Sequence, residues 1–481
     1  MSQLSHYPHM IATAAEAAGR VEVTAPFDQS PIATVDTLDG EGVERALSAA
    51  RSVFDDRDAW LTPAERIAIL KRTADLMRGR AEELAVEAAR EGGKPLIDSR
   101  IEVARAIDGI AICIETLRTE AGEEIPMGVN PASQGRLAFT HREPIGVVVA
   151  VSAFNHPLNL IVHQVAPAVA TGCPVIVKPA EDTPLSCMRF IGMLREAGLP
   201  AGWAQALLTS DLDVAGKLVT DPRVDFFSFI GSARVGWRLR SRLAPGTRCA
   251  LEHGGAAPVI VEADAALEDA LPLLAKGAFY HAGQVCVSVQ RVFAEQSIAR
   301  RVAEGLAAEG QRMRIGDPTL GETEVGPLIR PREVERVHAW ISEAVEQGAE
   351  LLTGGESLSA TCYAPTVLYD PPAHAKVSTQ EVFGPLVCVY PYEDMDRAID
   401  QANELPFAFQ AAVFSNNLQR TLRCYKRLHA SAVMVNDFTA FRVDWMPFAG
   451  LRQSGMGVGG IPHTMRDMQI EKMVVIRSEE L

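Results

Sequence analysis

Short apolar runs that alternate with helical segments are the feature that most constrains the fold of this chain. The helical stretches include residues 158–170 and 184–197, and the apolar runs between and beyond them span residues 145–151, 175–177, 204–208, 224–230 and 258–261. Strands buried on both faces and joined by helices are typical of a parallel, doubly wound sheet. The alternation resumes near residue 265 and continues to residue 435, which predicts a second α/β domain.

The first third of the chain is helical in pattern. Thr62 is the predicted N-cap of a helix that has Pro63 at its first position, runs to about Arg90 and stops at residues 92–93 (GG). A second helix is predicted over residues 99–117. Polar and apolar residues alternate at 136–142 and 472–477, which predicts two exposed strands outside both domains. Exposed strand edges invite pairing between subunits.

Composition excludes several classes of partner. Acidic residues outnumber basic ones by 61 to 46 among 481 residues, so nucleic acid and membrane surfaces are poor partners. The start of the chain lacks the pattern of a secretory signal, and the longest nearly apolar run, residues 145–154, is about half of a membrane span. The eight cysteines contain no CxxC pair, which argues against a disulfide framework and favours a reducing cytoplasm. No metal site is predicted.

Four segments carry residues suited to chemistry at a carbonyl: 154–157 (FNHP), 177–181 (VKPAE), 251–255 (LEHGG) and 283–286 (GQVC). Each has an ordinary structural interpretation when it is taken alone. Together they supply a thiol nucleophile, a carboxylate base, an amide donor for an oxyanion, and a polar segment just past a strand. Residues 231–236 (GSARVG) add a glycine turn between a strand and a helix, although the full GxGxxG pattern is absent.

These segments, in this order, resemble the aldehyde dehydrogenase superfamily over essentially the whole chain. Residues 381–385 (EVFGP) and 446–455 (MPFAGLRQSG) match two further motifs of that family. The resemblance implies two doubly wound α/β domains with a small β oligomerisation arm, and a homodimer or homotetramer. It places the NAD-binding domain at residues 1–120 and 142–253, the catalytic domain at 254–464, and the arm at 121–141 and 465–481.

The resemblance also assigns catalytic roles. Cys286 is expected to add to the aldehyde carbon, and Asn155 to hold the resulting oxyanion together with the Cys286 backbone N–H. Glu252 is expected to activate the water that hydrolyses the thioester. CoA-acylating relatives usually lack a base at this position, so Glu252 favours hydrolysis over that alternative. Retention of Cys286 and Glu252 likewise argues against an inactive relative that keeps only the fold.

Cofactor binding is assigned by the resemblance to six residues that follow strands or belong to the EVFGP motif: Lys178, Glu181, Gly231, Ser232, Glu381 and Phe383. Lys178 and Glu181 would contact the adenosine ribose. A carboxylate at that ribose repels the 2′-phosphate of NADP, so NAD is the expected cofactor and NADP an accepted alternative.

The substrate is expected to be a small polar aldehyde. Residues 154–159, 439–445 and 459–462 look like the branch of phosphonoacetaldehyde and lactaldehyde dehydrogenases, which handle short polar or anionic aldehydes. Arg100, His156 and Arg442 are the candidate head-group ligands. Val285 stands where relatives that act on phosphonate or phosphate aldehydes often have arginine. A hydroxy- or sulfo-aldehyde, or a short neutral one, therefore fits better than a dianion.

Overall fold

The computed structural model describes residues 4–481. Its strands, in chain order, are β1 Ser5–Tyr7, β2 Gly19–Thr24, β3 Pro31–Thr37, β4 Glu124–Ile125, β5 Arg136–Pro144, β6 Val147–Val151, β7 Val175–Lys178, β8 Ala204–Ala206, β9 Val224–Ile230, β10 Arg248–Glu252, β11 Ala257–Val261, β12 Val289–Glu295, β13 Glu350–Thr353, β14 Thr366–Tyr369, β15 Leu386–Tyr392, β16 Phe407–Ala408, β17 Gln410–Phe414, β18 Ala432–Val435, β19 Leu451–Arg452, β20 Gly455–Met456 and β21 Gln469–Arg477. Its α-helices are α1 Gly40–Asp55, α2 Pro63–Gly79, α3 Ala81–Gly92, α4 Leu96–Thr119, α5 Asn159–Thr171, α6 Leu185–Glu196, α7 Leu212–Thr220, α8 Ala233–Arg240, α9 Leu267–Phe279, α10 Gln296–Arg312, α11 Pro331–Glu346, α12 Lys376–Thr379, α13 Met395–Asn403, α14 Leu418–Arg427 and α15 Ile461–Asp467.

The first sheet has the strand order β20-β10-β9-β6-β7-β8, and its strands are parallel except for the edge strand β20. The apolar runs of β6 and β7 are buried on both faces, as the sequence predicts, because helices cover the sheet on both sides. The order reverses between β6 and β9. Loops that leave the carboxyl ends of these two strands diverge there and open a crevice.

The second sheet has the order β13-β14-β15-β12-β11-β17-β18, with only β13 antiparallel. The strand predicted at residues 258–261 exists as β11. The alternating pattern grouped it with the first sheet, whereas the domain boundary at residue 254 implied by the resemblance puts it in the second, and it lies near the centre of this second sheet. A doubly wound α/β sheet in each half of the chain is thereby confirmed.

The amino-terminal region departs from the prediction in two places. Residues 5–37 form the small sheet β1-β3-β2 where a helical pattern was expected. Thr62 does cap α2, since its hydroxyl accepts from the Glu65 backbone N–H and the Glu65 carboxylate accepts from the Thr62 N–H. The predicted long helix is divided at Arg80, whose backbone leaves the helical region and separates α2 from α3.

A third sheet, β21-β5-β4, stands apart from the two large ones. The strands predicted at residues 136–142 and 472–477 exist as β5 and β21, and they pair antiparallel with each other along their whole length. The outer strand β21 leaves Met473, Val474, Val475 and Ile476 exposed. None of the helices within residues 4–481 is both long and apolar enough to cross a membrane.

Candidate active site

A cavity of about 890 Å³ lies between the two large sheets, at the carboxyl ends of β6, β9 and β10. It is lined from the first half of the chain by Asn155 and Glu252, and from the second half by Cys286 and Glu381. Open α/β sheets bind ligands at this edge, because strand-end loops diverge there. The cavity therefore brings together side chains that the sequence distributes over more than two hundred residues.

The loop before Cys286 has an unusual backbone. His281, Ala282 and Gly283 all have left-handed φ values, of 50°, 52° and 68°. At Gly283 a Cβ would lie 2.1 Å from the Gly384 carbonyl oxygen, so only glycine fits there. This sharp turn after α9 brings the thiol of Cys286 to the cavity wall.

Gln284 anchors the same loop from within. Its side-chain Nε2 donates to the carbonyl oxygens of His281 (3.2 Å) and Pro327 (3.1 Å), while its Oε1 accepts from the Ile329 N–H at 2.9 Å. Its backbone carbonyl accepts a hydrogen bond of 2.9 Å from Nδ2 of Asn155. That bond uses one of the two amide N–H groups of Asn155 and leaves the other for a ligand beside Cys286.

Glu252 ends β10, and two glycines shape its surroundings. The Gly231 N–H donates to the Glu252 carbonyl at 3.0 Å, which ties the glycine turn after β9 to this strand end. A Cβ at Gly459 would lie 2.2 Å from Glu252 Oε1, so glycine at that position makes room for the carboxylate. Burial raises the pKa of Glu252, and the positive charge of Arg442 opposes the shift.

The Cys286 thiol is neutral in this environment. Burial raises its pKa to about 12, Arg442 opposes that shift, and the carboxylates of Glu252 and Glu381 add to it. The thiolate is the reactive form of cysteine, so this thiol needs a proton acceptor close by. Glu252 lines the same cavity, and its raised pKa makes it a better acceptor than an exposed carboxylate.

A cluster of charged side chains lies at the wall of the cavity. Arg105 from α4 forms a two-point ion pair with the buried carboxylate of Asp444, at 2.6 and 3.0 Å. Arg442 lies with its guanidinium carbon 3.6 Å from the centre of the Phe448 ring, and its Nε has no hydrogen-bond partner in the described part of the chain. Both arginines line the cavity that holds Cys286.

The expectation for Arg100 was wrong. Its guanidinium pairs with Glu82 at 2.6 Å on the surface, with about half of the side chain exposed (49%), and α4 reaches the cavity through Arg105 instead. His156 does line the cavity, as expected. Burial lowers the pKa of His156 well below its usual value, so it is a neutral hydrogen-bonding group.

The other end of the cavity holds the predicted cofactor residues. Gly231, Ser232, Glu381 and Phe383 line it, and the Phe383 ring meets the Phe154 ring edge-on at 5.9 Å. Lys178 and Glu181 form an ion pair of 3.7 Å at the end of β7. Beside this ion pair the cavity is lined by the neighbouring residues Ala180 and Asp182, and not by Lys178 or Glu181 themselves.

Residues 13–474 match the aldehyde dehydrogenase family. The chain belongs to this family. It is 36% identical over 459 residues to a 3-sulfolactaldehyde dehydrogenase of Priestia megaterium, with 95% of each chain covered. It is 33% identical over 461 residues to a lactaldehyde dehydrogenase of Methanocaldococcus jannaschii, covering 95% of this chain and 97% of that one.

Solved structures agree. Aldehyde dehydrogenase 21 of Physcomitrella patens, in complex with the reaction product succinate, has a TM-score of 0.94 at 32% identity, with 99% of each chain covered. A glyceraldehyde-3-phosphate dehydrogenase of Methanocaldococcus jannaschii, complexed with NADP, has a TM-score of 0.91 at 31% identity, covering 97% of this chain and all (100%) of that one. The protein is thus an NAD(P)-dependent aldehyde dehydrogenase, an enzyme that oxidises an aldehyde to a carboxylate, and the sequence-based identification is confirmed.

The residues present fit a nicotinamide dinucleotide. Glu381 Oε1 is buried and lacks a hydrogen-bond partner among residues 4–481, and burial raises the pKa of this carboxyl to about 8. Ribose hydroxyls would supply the missing donors. A Cβ at Gly254 would lie 1.6 Å from the same oxygen, so glycine there keeps the carboxylate in place. Ser232 precedes α8, and the first two residues of that helix, Ala233 and Arg234, also line the cavity.

Sequence reasoning missed four residues that shape this site: Arg105, His163, Gln284 and Asp444. Gln284 and Asp444 lie inside segments that the motifs already marked. Arg105 and His163 lie in the middle of regular helices, where no local pattern separates them from other polar positions on α4 and α5.

Proposed function

We propose that this enzyme oxidises a short aldehyde with a hydroxyl or anionic head group, and that Cys286 is its nucleophile. The observation that carries the proposal is the pair Arg105 and Arg442 at the wall of the Cys286 cavity. A partly desolvated guanidinium at a cavity wall is a strong hydrogen-bond donor to an anionic or polar group. The relatives named for sulfolactaldehyde and lactaldehyde support the same substrate class.

Nucleophilic attack needs a deprotonated thiol. We assign Glu252 as the group that takes the proton from Cys286, since burial raises the pKa of both groups and the carboxylate lies in the same cavity. The Arg442 charge stabilises the thiolate as it forms. The sulfur then adds to the aldehyde carbon and makes a thiohemiacetal whose oxygen carries the negative charge.

Asn155 holds that oxygen together with the Cys286 backbone N–H. One amide N–H of Asn155 donates to the Gln284 carbonyl, two residues before the nucleophile, so the second N–H is aimed from a fixed position. A bound NAD(P) would supply the acceptor for the hydride of the former aldehyde carbon, and loss of that hydride leaves a thioester on Cys286. Glu252 then releases the proton of the thiol to solvent and, as a carboxylate again, deprotonates the water that hydrolyses this thioester to the carboxylate, with the Cys286 thiolate as the leaving group.

The cofactor residues are proposed from the same geometry. Glu381 and Phe383 would hold the nicotinamide end, Gly231 and Ser232 the pyrophosphate, and Lys178 with Glu181 the adenosine ribose. The Glu181 carboxylate favours NAD over NADP, because it would repel a 2′-phosphate.

We also propose the domain division, assembly and location given by the family pattern. The NAD-binding domain comprises residues 1–120 and 142–253, the catalytic domain 254–464, and the arm 121–141 and 465–481. The exposed apolar strand β21 supports an arm that mediates a homodimer or homotetramer. The eight cysteines are unpaired, which supports a reducing cytoplasm.

The test is NADH formation without CoA or phosphate over lactaldehyde, glycolaldehyde, sulfoacetaldehyde, phosphonoacetaldehyde, propanal and succinic semialdehyde. We expect turnover that disappears in Cys286→Ala and persists in Cys249→Ala, a matched change at a half-buried cysteine in another cavity. If turnover began only when CoA was added, the assignment of Glu252 as the base for hydrolysis would be wrong. Equal efficiency for propanal and for all polar aldehydes would contradict the proposed head-group site.

A further inference from the structure

Asp444 is a buried carboxylate on which basic side chains from three parts of the chain converge. Its Oδ1 accepts from Arg105 Nη2 at 2.6 Å and from His163 Nε2 at 2.8 Å, and its Oδ2 accepts from Arg105 Nε at 3.0 Å. The Nε of Arg442 lies 3.9 Å from Oδ1. Asp444 therefore links α4, α5 and the loop before β19 directly beside the proposed head-group site.

His163 lies between Asp444 and Arg442 and contacts both side chains. Burial lowers the pKa of His163 to about 4, so the ring is neutral at physiological pH. Its Nε2 faces the carboxylate and must carry the proton, which leaves Nδ1 as an acceptor. That nitrogen lies 3.4 Å from Nη2 of Arg442. Asp444 thus orients Arg105 by direct hydrogen bonds and Arg442 through the fixed tautomer of His163.

The cluster carries one unmatched positive charge. Arg105 and Arg442 are cations, Asp444 is an anion, and His163 is neutral. Burial alone would raise the pKa of Asp444. Hydrogen bonds from His163 and Arg105 hold this pKa far below its usual range, so the carboxylate stays charged.

The other charged groups near the cluster are not ion-paired with it. Glu252 interacts with Arg442 at longer range than an ion pair, and burial raises the pKa of this carboxyl. Buried Lys94 and Glu102 pair with each other behind Arg105. Asp108 lies on the exposed side of α4, where water screens its charge. A ligand with one negative charge would be neutralised by the cluster, whereas a second negative charge would be desolvated without a partner.

We propose that Asp444 is a positioning residue that makes the head-group site selective for singly charged over doubly charged anions. A carboxylate or sulfonate would bind in preference to a phosphate or phosphonate dianion. This inference rests on the proposed function, because it assumes that Arg105 and Arg442 face the substrate head group. It adds that the charge of the acid behind them, and not only the arginines themselves, sets the substrate class.

The test compares two aldehydes of nearly equal shape, sulfoacetaldehyde and phosphonoacetaldehyde, with propanal as the uncharged reference. Wild type should favour the sulfonate in kcat/KM above neutral pH, where the phosphonate carries two charges. Asp444→Asn should shift the phosphonate-to-sulfonate ratio of kcat/KM upward by about tenfold or more, mainly through KM, because it removes one negative charge from a buried cluster. Asp444→Glu, which keeps the charge, should retain the wild-type preference.

A purely structural role for Asp444 would reduce kcat for propanal and both anions in parallel and leave the ratio unchanged, which would overturn the inference. If wild type had the same kcat/KM for sulfoacetaldehyde as for propanal, that result would instead contradict the head-group site of the proposed function. The two failures are therefore distinguishable.

A measurement on wild type covers the case in which Asp444→Asn does not fold. Ethanesulfonate and ethylphosphonate should compete with the aldehyde equally well in mildly acidic solution, where each has one charge. As the pH rises and the phosphonate gains its second charge, its inhibition constant should increase relative to that of the sulfonate. Constant relative inhibition across this range would also refute the selectivity.

Discussion

Replacement of Asn155 tests the proposed oxyanion site most directly. The side chain is buried (6% exposed), and Nδ2 donates to the Gln284 carbonyl at 2.9 Å, which leaves one N–H for the substrate oxygen. Asn155→Ala removes that donor. Loss of one oxyanion donor typically slows kcat by about 10²–10³-fold, or about 2.7–4 kcal/mol. We expect a decrease in this range when NADH formation is followed with a saturating aldehyde.

The same change also removes a buried hydrogen bond from Gln284, so stability must be measured separately. The free energy of unfolding should fall by about 1–3 kcal/mol, which for a chain of this size lowers the melting temperature by only a few degrees. Asn155→Asp keeps the size of the side chain but replaces the donor with an acceptor, so its kcat should be at least as low. Asn130→Ala is the matched control at an exposed turn, where kcat should stay unchanged.

Alkylation of Cys286 by iodoacetamide separates chemistry from misfolding. That reaction builds no oxyanion, so its rate should be nearly equal in wild type and in Asn155→Ala. If kcat of Asn155→Ala fell less than threefold while the melting temperature was retained, Asn155 would not be an oxyanion donor. If alkylation slowed as much as turnover did, displacement of the Cys286 loop would explain both, and the reasoning would be refuted.

Three further predictions follow from the cavity. The pKa of the Cys286 thiol is raised to about 12, so the thiol stays neutral below that pH. Its alkylation rate should therefore keep rising about tenfold per pH unit above pH ~9, where the rate of an ordinary cysteine reaches a plateau. A plateau near pH 9 would contradict this prediction. Gly283→Ala should lower both kcat and the melting temperature, because the new Cβ would clash with the Gly384 carbonyl oxygen. Gly348→Ala is the control, at a positive φ with open space around it. It should lower the free energy of unfolding by only about 1 kcal/mol and leave kcat unchanged. Glu181→Ala should increase the affinity for NADP relative to NAD, measured by quenching of protein fluorescence, and an unchanged ratio would mean that Glu181 does not contact the adenosine ribose.

Local signals in the sequence predicted individual elements well and their assembly less well. The Thr62 cap is recognisable because Glu65 completes the capping box three residues later. The break at Arg80 has a weaker signal, the single Gly79 before it, and one glycine inside a helical pattern is compatible with a continuous helix. β11 was recognised as a strand, but the alternating pattern grouped it with the wrong sheet, because an apolar run specifies burial on two faces and not which strands lie beside it.

The same distinction applies to the site. Cys286 and Glu252 lie beside distinctive glycine patterns, and the structure brings both to one cavity. Arg100 was the predicted head-group ligand on α4, whereas the structure places Arg105 at the cavity and Arg100 on the surface. They are five residues apart, about 140° around the helix, so only one of them can face the cavity. Which face is buried depends on the contact of Arg105 with Asp444, more than three hundred residues away.

The hydrogen bond between Asn155 and Gln284 has a mechanical consequence. It crosses the crevice between the two large sheets, and it joins the loop after β6 to the loop that carries Cys286. This single bond therefore couples the position of the amide donor, supplied by the first half of the chain, to that of the nucleophile, supplied by the second half.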